Sequence, residues 1–329
     1  MMVGELELSG RPLLATTRDA PLFVDRENDM KAVEEAVSAS LNVLLLGARG
    51  SGKTTLLRRL ARRLERRGSR AVFVEGSLAT SPSELLSLIR TRISPEADAR
   101  RAGGVSGESE LLLEEIGALA ADVQRDERRH VVLLDEVSSP DIVHTVFGRL
   151  RDEMWQLPIT WIVAGDPRDR ANYLRPPADA FFSRILTLDA LDERAALKLL
   201  RARISQEHAS DGLLRAIVAE SSRFPRDLIR VATDVIVGGA QPEQLASSRA
   251  KREKVLDALG EPAQRVVGEL EVSGPASASD AAFLSRLGFG RSRAVQIFRE
   301  LERMGIVEAS IEHTGQRPRK VYGLREDVK

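Results

Sequence analysis

The sequence lacks cysteine altogether and has few aromatic side chains, 4% of its 329 residues. Without cysteine, disulfide bonds and thiolate metal sites are excluded. The four histidines are scattered without the spacing of metal ligands, which argues against a histidine-based metal site. No apolar run approaches the roughly 18–20 residues that cross a bilayer, and the N-terminus lacks the basic-then-apolar order of a signal peptide. We therefore expect a cytoplasmic protein with no membrane partner.

Net charge is absent as well, because Lys+Arg and Asp+Glu both total 49. No global field indicates nucleic acid, so any such surface must be local. One local concentration is the segment "LLRRLARRLERRGSR", a predicted helix with a buried leucine stripe and a single acidic residue, Glu65. Its basic face either binds a polyanion or acidic partner or is an ordinary solvated face. Its seven arginines are at positions 58, 59, 62, 63, 66, 67 and 70.

Short apolar runs indicate a buried parallel sheet. The first four are rich in β-branched residues and apolar on both faces, as expected of strands covered on both sides. Helical segments separate them, so we predict an α/β fold with helices on both faces of the sheet. A further run, "RILTLDAL" (184–191), can add a fifth strand. The first four are "NVLLLG" (42–47), "RAVFVEG" (70–76), "HVVLLDE" (130–136) and "ITWIVAG" (159–165).

The chain is predicted to have four parts. Strands stop after about residue 191, amphipathic helices follow, and the last stretch is predicted as three helices and a two-stranded hairpin. The parts are an N-terminal leader (1–20), an α/β core (21–190), a helical subdomain (191–250) and a C-terminal unit (251–329).

The segment "GARGSGKT" matches the phosphate-loop pattern G-x-x-x-x-G-K-[ST]. It follows a predicted strand and opens a predicted helix, so glycine-rich backbone N–H groups and the helix N-terminus converge on a phosphate. Lys53 is expected to contact the β- and γ-phosphates of ATP, and the Thr54 hydroxyl is expected to bind Mg²⁺. The predicted nucleotide contacts are Gly47, Ala48, Arg49, Gly50, Ser51, Gly52, Lys53, Thr54 and Thr55.

Two adjacent carboxylates, Asp135 and Glu136, end the apolar run "VVLLDE". Ligands of open α/β sheets bind at the carboxyl ends of strands. Asp135 is expected to hold Mg²⁺, and Glu136 to orient and deprotonate the attacking water. Alternatively, the pair only caps the following helix.

With these motifs, "FVDRENDM" (23–30) resembles the box before the phosphate loop in AAA+ ATPases of the origin-recognition and replication-initiation type, and in the related STAND ATPases. The resemblance implies a helical lid after the α/β core. It also implies that Phe23, Val24 and Arg26 line the adenine pocket. Asp25 stands where the box usually has glycine.

The same resemblance extends to two arginines. "SSRFPRDLIRVATDVI" is similar to the lid segment that sends an arginine to the γ-phosphate. The resemblance implies this role for Arg226, with Arg223 as the alternative, and a nucleotide-side position for Pro225. Arg184 lies in the region of the arginine finger, which acts from a neighbouring subunit of a nucleotide-dependent homo-oligomer. Each arginine can instead be an ordinary surface residue. Asp166, which ends the fourth strand, receives no assignment.

The C-terminal unit resembles a winged helix-turn-helix, with the link "GFG" before its third helix. Arg and Gln make bidentate contacts to guanine and adenine, so exposed residues of that helix are expected to meet double-stranded DNA. Residues 291–320 carry seven basic and four acidic residues, a net +3, which is compatible with DNA. The predicted DNA contacts are Arg291, Arg293, Gln296 and Arg299 on the helix and Arg317, Arg319 and Lys320 on the wing.

The interpretation favoured by these motifs is an ATP-hydrolysing AAA+-type switch whose nucleotide state controls a DNA-binding winged helix. A STAND-like signalling or scaffold ATPase, whose winged helix docks on a protein partner, is the alternative. A small-molecule kinase is a third possibility, but the sequence shows no separate acceptor site.

Overall fold

The computed structural model describes residues 6–95, 108–137, 139–242, 260–312 and 319–325. The chain divides into two compact units, Met1–Gly239 and Ala240–Lys329. Within the described residues, no helix is both long enough and apolar enough to cross a membrane.

The first unit is built on a five-stranded sheet in which every neighbouring pair is parallel, in the order β2-β3-β4-β1-β5. All residues of β1, β3 and β4 are buried, whereas β5 at the edge exposes most of its residues. The predicted strands, including the fifth, are confirmed. They are β1 (Val43–Gly47), β2 (Arg70–Glu75), β3 (His130–Asp135), β4 (Ile159–Gly165) and β5 (Arg184–Leu188).

Helices cover both faces of this sheet, as predicted. Several begin at a side chain that accepts a hydrogen bond from the first turn, for example Ser81 from the Glu84 N–H and Asp192 from the Ala195 N–H. The helices of the first unit are α1 (Glu27–Ser38), α2 (Lys53–Arg66), α3 (Pro82–Ile93), α4 (Glu108–Gln124), α5 (Pro140–His144), α6 (Arg151–Gln156), α7 (Arg170–Tyr173), α8 (Glu193–Arg201), α9 (Asp211–Glu220) and α10 (Pro225–Ile236).

Alternation along β1 divides its side chains between two apolar cores. Val43 and Leu45 pack with the leucines of α2, and Leu44 and Leu46 pack on the opposite face with α3, α4 and an aromatic cluster. This is the period-two pattern of a strand covered on both sides. The carboxyl ends of β1 and β3, two fully buried strands, therefore lie at one edge of the sheet.

Within its described residues, the second unit contains three helices and an antiparallel hairpin, in the predicted order. Gly288 adopts φ +67° in the turn between the second and third helices, a conformation that favours glycine. Phe298 of the third helix stacks on Tyr322 of the hairpin with ring centroids 4.4 Å apart. The elements are α11 (Glu261–Ser273), α12 (Ala281–Leu287), α13 (Arg291–Arg303), β6 (Val307–Glu312) and β7 (Arg319–Leu324).

Candidate nucleotide-binding site

The phosphate loop runs from the end of β1 into the first turn of α2. Gly50 and Gly52 have φ of +80° and +97°, so the loop uses glycine where the backbone is left-handed. The Lys53 ammonium folds back into the loop and donates to the carbonyl of Gly47 at 2.7 Å and that of Ala48 at 3.4 Å. The pattern found in the sequence thus forms a compact loop at the carboxyl edge of the sheet.

Lys53 is buried beside three carboxylates. Burial lowers its pKa, and the charges of Glu136, Asp166 and Asp135 oppose this effect. These acids come from the ends of two other strands, so the sheet brings the lysine and the carboxylates together. A triphosphate bound in the loop would add negative charge beside the ammonium and favour its charged form.

Thr54 and Asp135, 81 positions apart in sequence, are in direct contact. The Thr54 hydroxyl donates to Oδ2 of Asp135 at 2.6 Å, while Oδ1 of Asp135 is buried without a hydrogen-bond partner. Burial raises the pKa of Asp135, and the bond from Thr54 only partly opposes this shift. An unpartnered carboxylate oxygen beside a threonine hydroxyl fits Mg²⁺, which binds oxygen ligands and retains several waters. Among the described residues, no group of three or more His, Cys, Asp or Glu side chains could hold a metal by itself.

Glu136 leaves the strand with φ +43° and an exposed side chain. Positive φ is uncommon for a residue with a Cβ and is associated with functional sites. Gly76, just after β2, makes room for this turn, because a Cβ built on it would lie 2.9 Å from the Glu136 carbonyl oxygen. The backbone therefore turns Glu136 out of the sheet beside the phosphate loop.

The lid helix α10 starts against the phosphate loop. The Arg226 N–H donates to the Gly50 carbonyl at 3.3 Å, and the Pro225 ring lies 3.9 Å from the position of a Cβ at Gly52. The Arg226 side chain is exposed at this junction. Arg223, by contrast, lies before the helix with φ +60°. The structure thus places Arg226 and Pro225 beside the loop, and a contact of the Arg226 side chain with a γ-phosphate stays a prediction.

The box before α1 also contacts the loop, through Arg26. Its guanidinium donates to the carbonyl of Ser51 at 3.3 Å and to that of Asp189 at 2.6 Å. Asp25 has φ +63°, the conformation for which glycine is the usual choice, so the aspartate keeps the left-handed turn. Val24 is buried, and the Phe23 ring is covered by the Arg59 guanidinium at 4.3 Å. Arg26 thus ties the box to the loop.

Residues 37–173 match the sequence profile of the family described as the AAA domain. The matched segment, less than half of the chain, is therefore similar to an AAA domain. It holds the phosphate loop, Asp135 and Glu136, the residues whose geometry is described above. No curated protein sequence matches the chain.

Solved structures are similar to nearly the whole chain, beyond the segment that matches the family profile. The Orc1 protein of Aeropyrum pernix, determined in complex with DNA, has a TM-score of 0.53 and 19% identity, covering 92% of this chain and 89% of that one. Cdc6p of Pyrobaculum aerophilum has a TM-score of 0.52 and 16% identity, covering 93% of each chain. A Walker-type ATPase of Pyrococcus abyssi has a TM-score of 0.52 and 14% identity, covering 98% of this chain and 97% of that one. Identities this low show the fold, that of P-loop AAA+ ATPases.

The sequence reasoning missed two residues of the matched segment, which lie beside Asp166 and Gly165 at the end of β4. Arg168 donates twice to Asp166, each bond 2.9 Å long. Burial alone would raise the pKa of Asp166, but these bonds hold it below its ordinary value. The Tyr173 ring packs against Gly165, where a Cβ would be 2.6 Å from the ring, and burial raises the pKa of its hydroxyl. In the sequence, the spacing Asp-x-Arg could have indicated that Arg168 pairs with Asp166. No sequence pattern indicated the position of Tyr173.

Arg184 lies apart from these groups. It is the first residue of β5 and pairs with Val43, whereas the loop follows Gly47 at the other end of β1. Four residues along a strand correspond to about 13 Å. Its exposed side chain therefore starts far from the phosphate loop of its own chain, and action from a neighbouring subunit stays a prediction.

The predicted DNA contacts are in the second unit. Arg293 lies 3.5 Å from Gln296 on the same helix face. On the hairpin, Arg319 pairs with Asp280 at 3.5 Å and Lys320 with Glu302 at 3.1 Å, so both are partly neutralised. Arg317 lies outside the described residues. The four predicted contacts on α13 all have exposed side chains; they are Arg291, Arg293, Gln296 and Arg299.

Proposed function

We propose that this protein is a Mg²⁺-dependent ATPase whose lid responds to the bound nucleotide and whose C-terminal unit is a winged helix that binds double-stranded DNA. The contact of Thr54 with Asp135 carries the proposal, because it pairs the loop hydroxyl with a buried carboxylate whose second oxygen has no partner. Together with Lys53, these groups form a site for a metal-bound triphosphate.

ATP would enter with its phosphates in the loop. The Lys53 ammonium would exchange the carbonyls of Gly47 and Ala48 for β- and γ-phosphate oxygens. Thr54 and Asp135 would hold Mg²⁺, which when bound neutralises charge on the phosphate oxygens. Backbone N–H groups of residues 50–54 would supply the remaining hydrogen bonds to the phosphates.

Glu136 is the residue proposed to prepare the attacking water. It follows Asp135 directly, and its exposed carboxylate influences the charge of Lys53, so it lies close to the loop. It would accept a proton from water as the water oxygen attacks the γ-phosphorus, with ADP leaving. Transfer to water accounts for the absence of a separate acceptor site among the sequence motifs.

Arg226 is proposed to couple nucleotide state to the lid. Its backbone already bonds to Gly50, so a short side-chain movement would reach a phosphate in the loop. A γ-phosphate that binds this guanidinium more strongly than ADP does would shift the population of lid positions. Because α10 precedes the second unit in the chain, such a shift offers a route to the winged helix. A neighbouring subunit in a homo-oligomer would supply Arg184.

Glu136→Gln tests the hydrolytic part. The amide cannot accept the proton, so we expect turnover to fall about 10²–10⁴-fold while ATP affinity is retained. Glu75→Gln is the matched control, because Glu75 lies beside Asp135 in the register and is half-exposed, yet has no proposed role. Turnover measured without any added acceptor also tests the kinase alternative. Unchanged hydrolysis in Glu136→Gln would remove that residue from its role.

Arg291→Ala/Arg293→Ala tests the DNA-binding part. Removing two exposed guanidinium groups from α13 should weaken duplex binding and its dependence on salt, with thermal stability unchanged. Capture with Glu136→Gln loaded with ATP, analysed for both nucleic acid and protein, separates DNA from a protein partner. Recovery of a protein alone, with no duplex binding by the unaltered chain, would favour the STAND-like alternative.

A further inference from the structure

The seven arginines of α2 and of the residues that follow it (58–70) divide into two sets in the structure. Arg58 pairs with Glu75, Arg63 with Glu27 and Glu34, and Arg67 with Glu34. Arg70 donates to a backbone carbonyl at 2.9 Å. The remaining three are Arg59, Arg62 and Arg66, and no carboxylate oxygen of the described residues lies within 4.0 Å of their guanidinium nitrogens.

These three arginines line one cleft of about 470 Å³ between α2 and residues 15–20. Glu65 is the single carboxylate of the lining, so the lining side chains carry a net charge of +2, from three arginines and one glutamate. Ala15 and Ala20 are small, and this leaves the opening between the guanidinium groups and the opposite wall unobstructed. The arrangement concentrates positive charge in a protein whose net charge is zero.

Hydroxyl groups face the arginines from the other wall. Thr16 and Thr17 are both exposed in the lining. The Thr16 hydroxyl oxygen accepts a bond from the Asp19 N–H at 3.2 Å, so its hydrogen remains available to donate. Guanidinium and hydroxyl groups are the side-chain donors that commonly contact phosphate oxygens.

The wall that carries the threonines is fixed in place. Asp19 is buried and accepts hydrogen bonds from Arg11 at 2.7 Å and from the Leu14 N–H at 2.7 Å. The Leu13 N–H donates to the Thr55 hydroxyl of α2 at 3.1 Å, which joins the wall to the helix. The cleft is therefore formed before any ligand binds.

Two side chains in the arginine row are also oriented. The Arg59 guanidinium stacks on the Phe23 ring, which leaves its N–H groups directed in the plane, away from the ring face. Nε of Arg66 donates to the Arg62 carbonyl at 3.4 Å and thereby lies back along the helix. At 1.5 Å per residue the row spans about 10 Å, comparable to about three phosphates on one strand of a duplex.

We propose that this cleft binds the phosphate backbone of a nucleic acid, in a contact separate from the one assigned to the C-terminal unit. The guanidinium and hydroxyl donors of the lining suit phosphate oxygens, which carry no base sequence, so we expect binding to be independent of base sequence. Arg59 is six residues beyond Lys53, about 9 Å along the helix, and the row runs away from the phosphate loop. The cleft thus adds a second charged surface on the ATPase unit.

The test compares full-length Arg62→Ala/Arg66→Ala with the unaltered protein by fluorescence anisotropy, using a labelled 20-base-pair duplex and its single strand across a salt series. Removing one arginine–phosphate interaction lowers the slope of log affinity against log salt by about one, so we expect the slope to fall by about two. Arg67→Ala is the matched control, since Arg67 directly follows α2, is 55% exposed and is paired with Glu34.

Parallel measurement of Arg291→Ala/Arg293→Ala separates this inference from the proposed function. If the salt-dependence slope falls only in the α2 variant, the cleft is supported and the winged-helix assignment fails. If the slope falls only in the α13 variant, the winged-helix assignment is supported and the cleft proposal fails. Unchanged slope in the α2 variant, or no binding of either nucleic acid by the unaltered protein, overturns the cleft. The proposal is also overturned if the α2 variant loses only affinity for ATP, which would identify a nucleotide subsite. The same holds if it loses only affinity for poly-glutamate, which would identify a site for acidic protein.

Discussion

The backbone N–H of Arg226 donates to the carbonyl of Gly50 at 3.3 Å, so the lid helix begins in contact with the phosphate loop. The contact depends on a missing side chain. Gly50 has φ +80°, and a Cβ built there would lie 2.7 Å from the Cβ of Arg226. The loop and the lid can therefore touch in this way only if residue 50 is glycine. With any other residue, the start of α10 would have to move away from the loop.

Gly50→Ala should displace the start of α10 and weaken ATP binding, because the new methyl group collides with Arg226. Left-handed backbone at a residue with a Cβ also costs about 1–2 kcal/mol. Gly68→Ala controls for this backbone effect, since Gly68 has φ +88° and nothing lies within 4 Å of its Cβ position. Calorimetric ATP titration and urea unfolding distinguish the two. Equal ATP affinity in both variants would contradict a role for the lid contact.

Asp135→Asn should stabilise the nucleotide-free protein at neutral pH while abolishing Mg²⁺-dependent hydrolysis. The folded pKa of Asp135 is raised, chiefly by burial, above the ordinary 3.8. The folded state therefore holds the proton more tightly, and the free energy of unfolding falls as pH rises from about 3.8 through the folded pKa. Asparagine accepts the Thr54 bond without this ionisation penalty.

Urea unfolding of both proteins in EDTA at a series of pH values checks this expectation. The stability difference should be near zero below the ordinary pKa and should grow as Asp135 ionises in the unaltered protein. A variant less stable than the unaltered protein at neutral pH would show that the charged carboxylate stabilises the fold.

The strands and the phosphate loop could be predicted because local patterns determine them. Each apolar run forms a strand whose ends lie within three residues of the predicted ends. The order of strand, glycine-rich turn and helix predicted the positions of Lys53 and Thr54. Asp135 and Glu136 were found by the same reasoning, since parallel strands end at a common edge. The position of Pro225 at the loop, by contrast, could be predicted only from a resemblance to a known family.

Contacts between distant segments could not be predicted. The ion pairs of Arg63 and Arg67 with Glu34 depend on how α1 lies on α2, so the sequence could not show which arginines are paired with a carboxylate. Likewise, the left-handed turn at Asp25 is selected by the contacts of the neighbouring Arg26. A sequence pattern records spacing along one element, whereas these features depend on which elements meet.

Arg26→Lys should destabilise the first unit and weaken ATP binding despite conserving charge. The Arg26 side chain is only 11% exposed, and one of its nitrogens donates to the carbonyls of both Ser51 and Asp189. A lysine ammonium cannot reproduce the planar fork, so at least one of the two carbonyls should lose its charged donor, at about 1–3 kcal/mol. Arg67→Lys, at a 55% exposed position, is the control. Equal free energies of unfolding for the two variants would show that the hydrogen bonds of Arg26 to Ser51 and Asp189 do not stabilise the first unit.

Gly76→Ala should impair catalysis without impairing ATP binding. A Cβ at residue 76 would lie 2.9 Å from the Glu136 carbonyl oxygen, 3.0 Å from Leu134 and 3.1 Å from Val137. The backbone oxygen cannot yield as a flexible side chain would, so Glu136 should shift from the position in which it faces the loop. Lys53, Thr54 and Asp135 lie farther from this methyl position than those three atoms do, so the nucleotide contacts should be spared.

Gly117→Ala is the control for this last variant, because residue 117 is exposed on α4 and nothing lies within 4 Å of its Cβ position. Replacing an exposed glycine inside a helix should raise stability by about 0.5–1 kcal/mol and leave turnover unchanged. Steady-state hydrolysis should therefore show a lower kcat for Gly76→Ala alone, with nucleotide affinity retained by both variants. A Gly76→Ala protein with full kcat would mean that the exit path of Glu136 from β3 does not set its catalytic position.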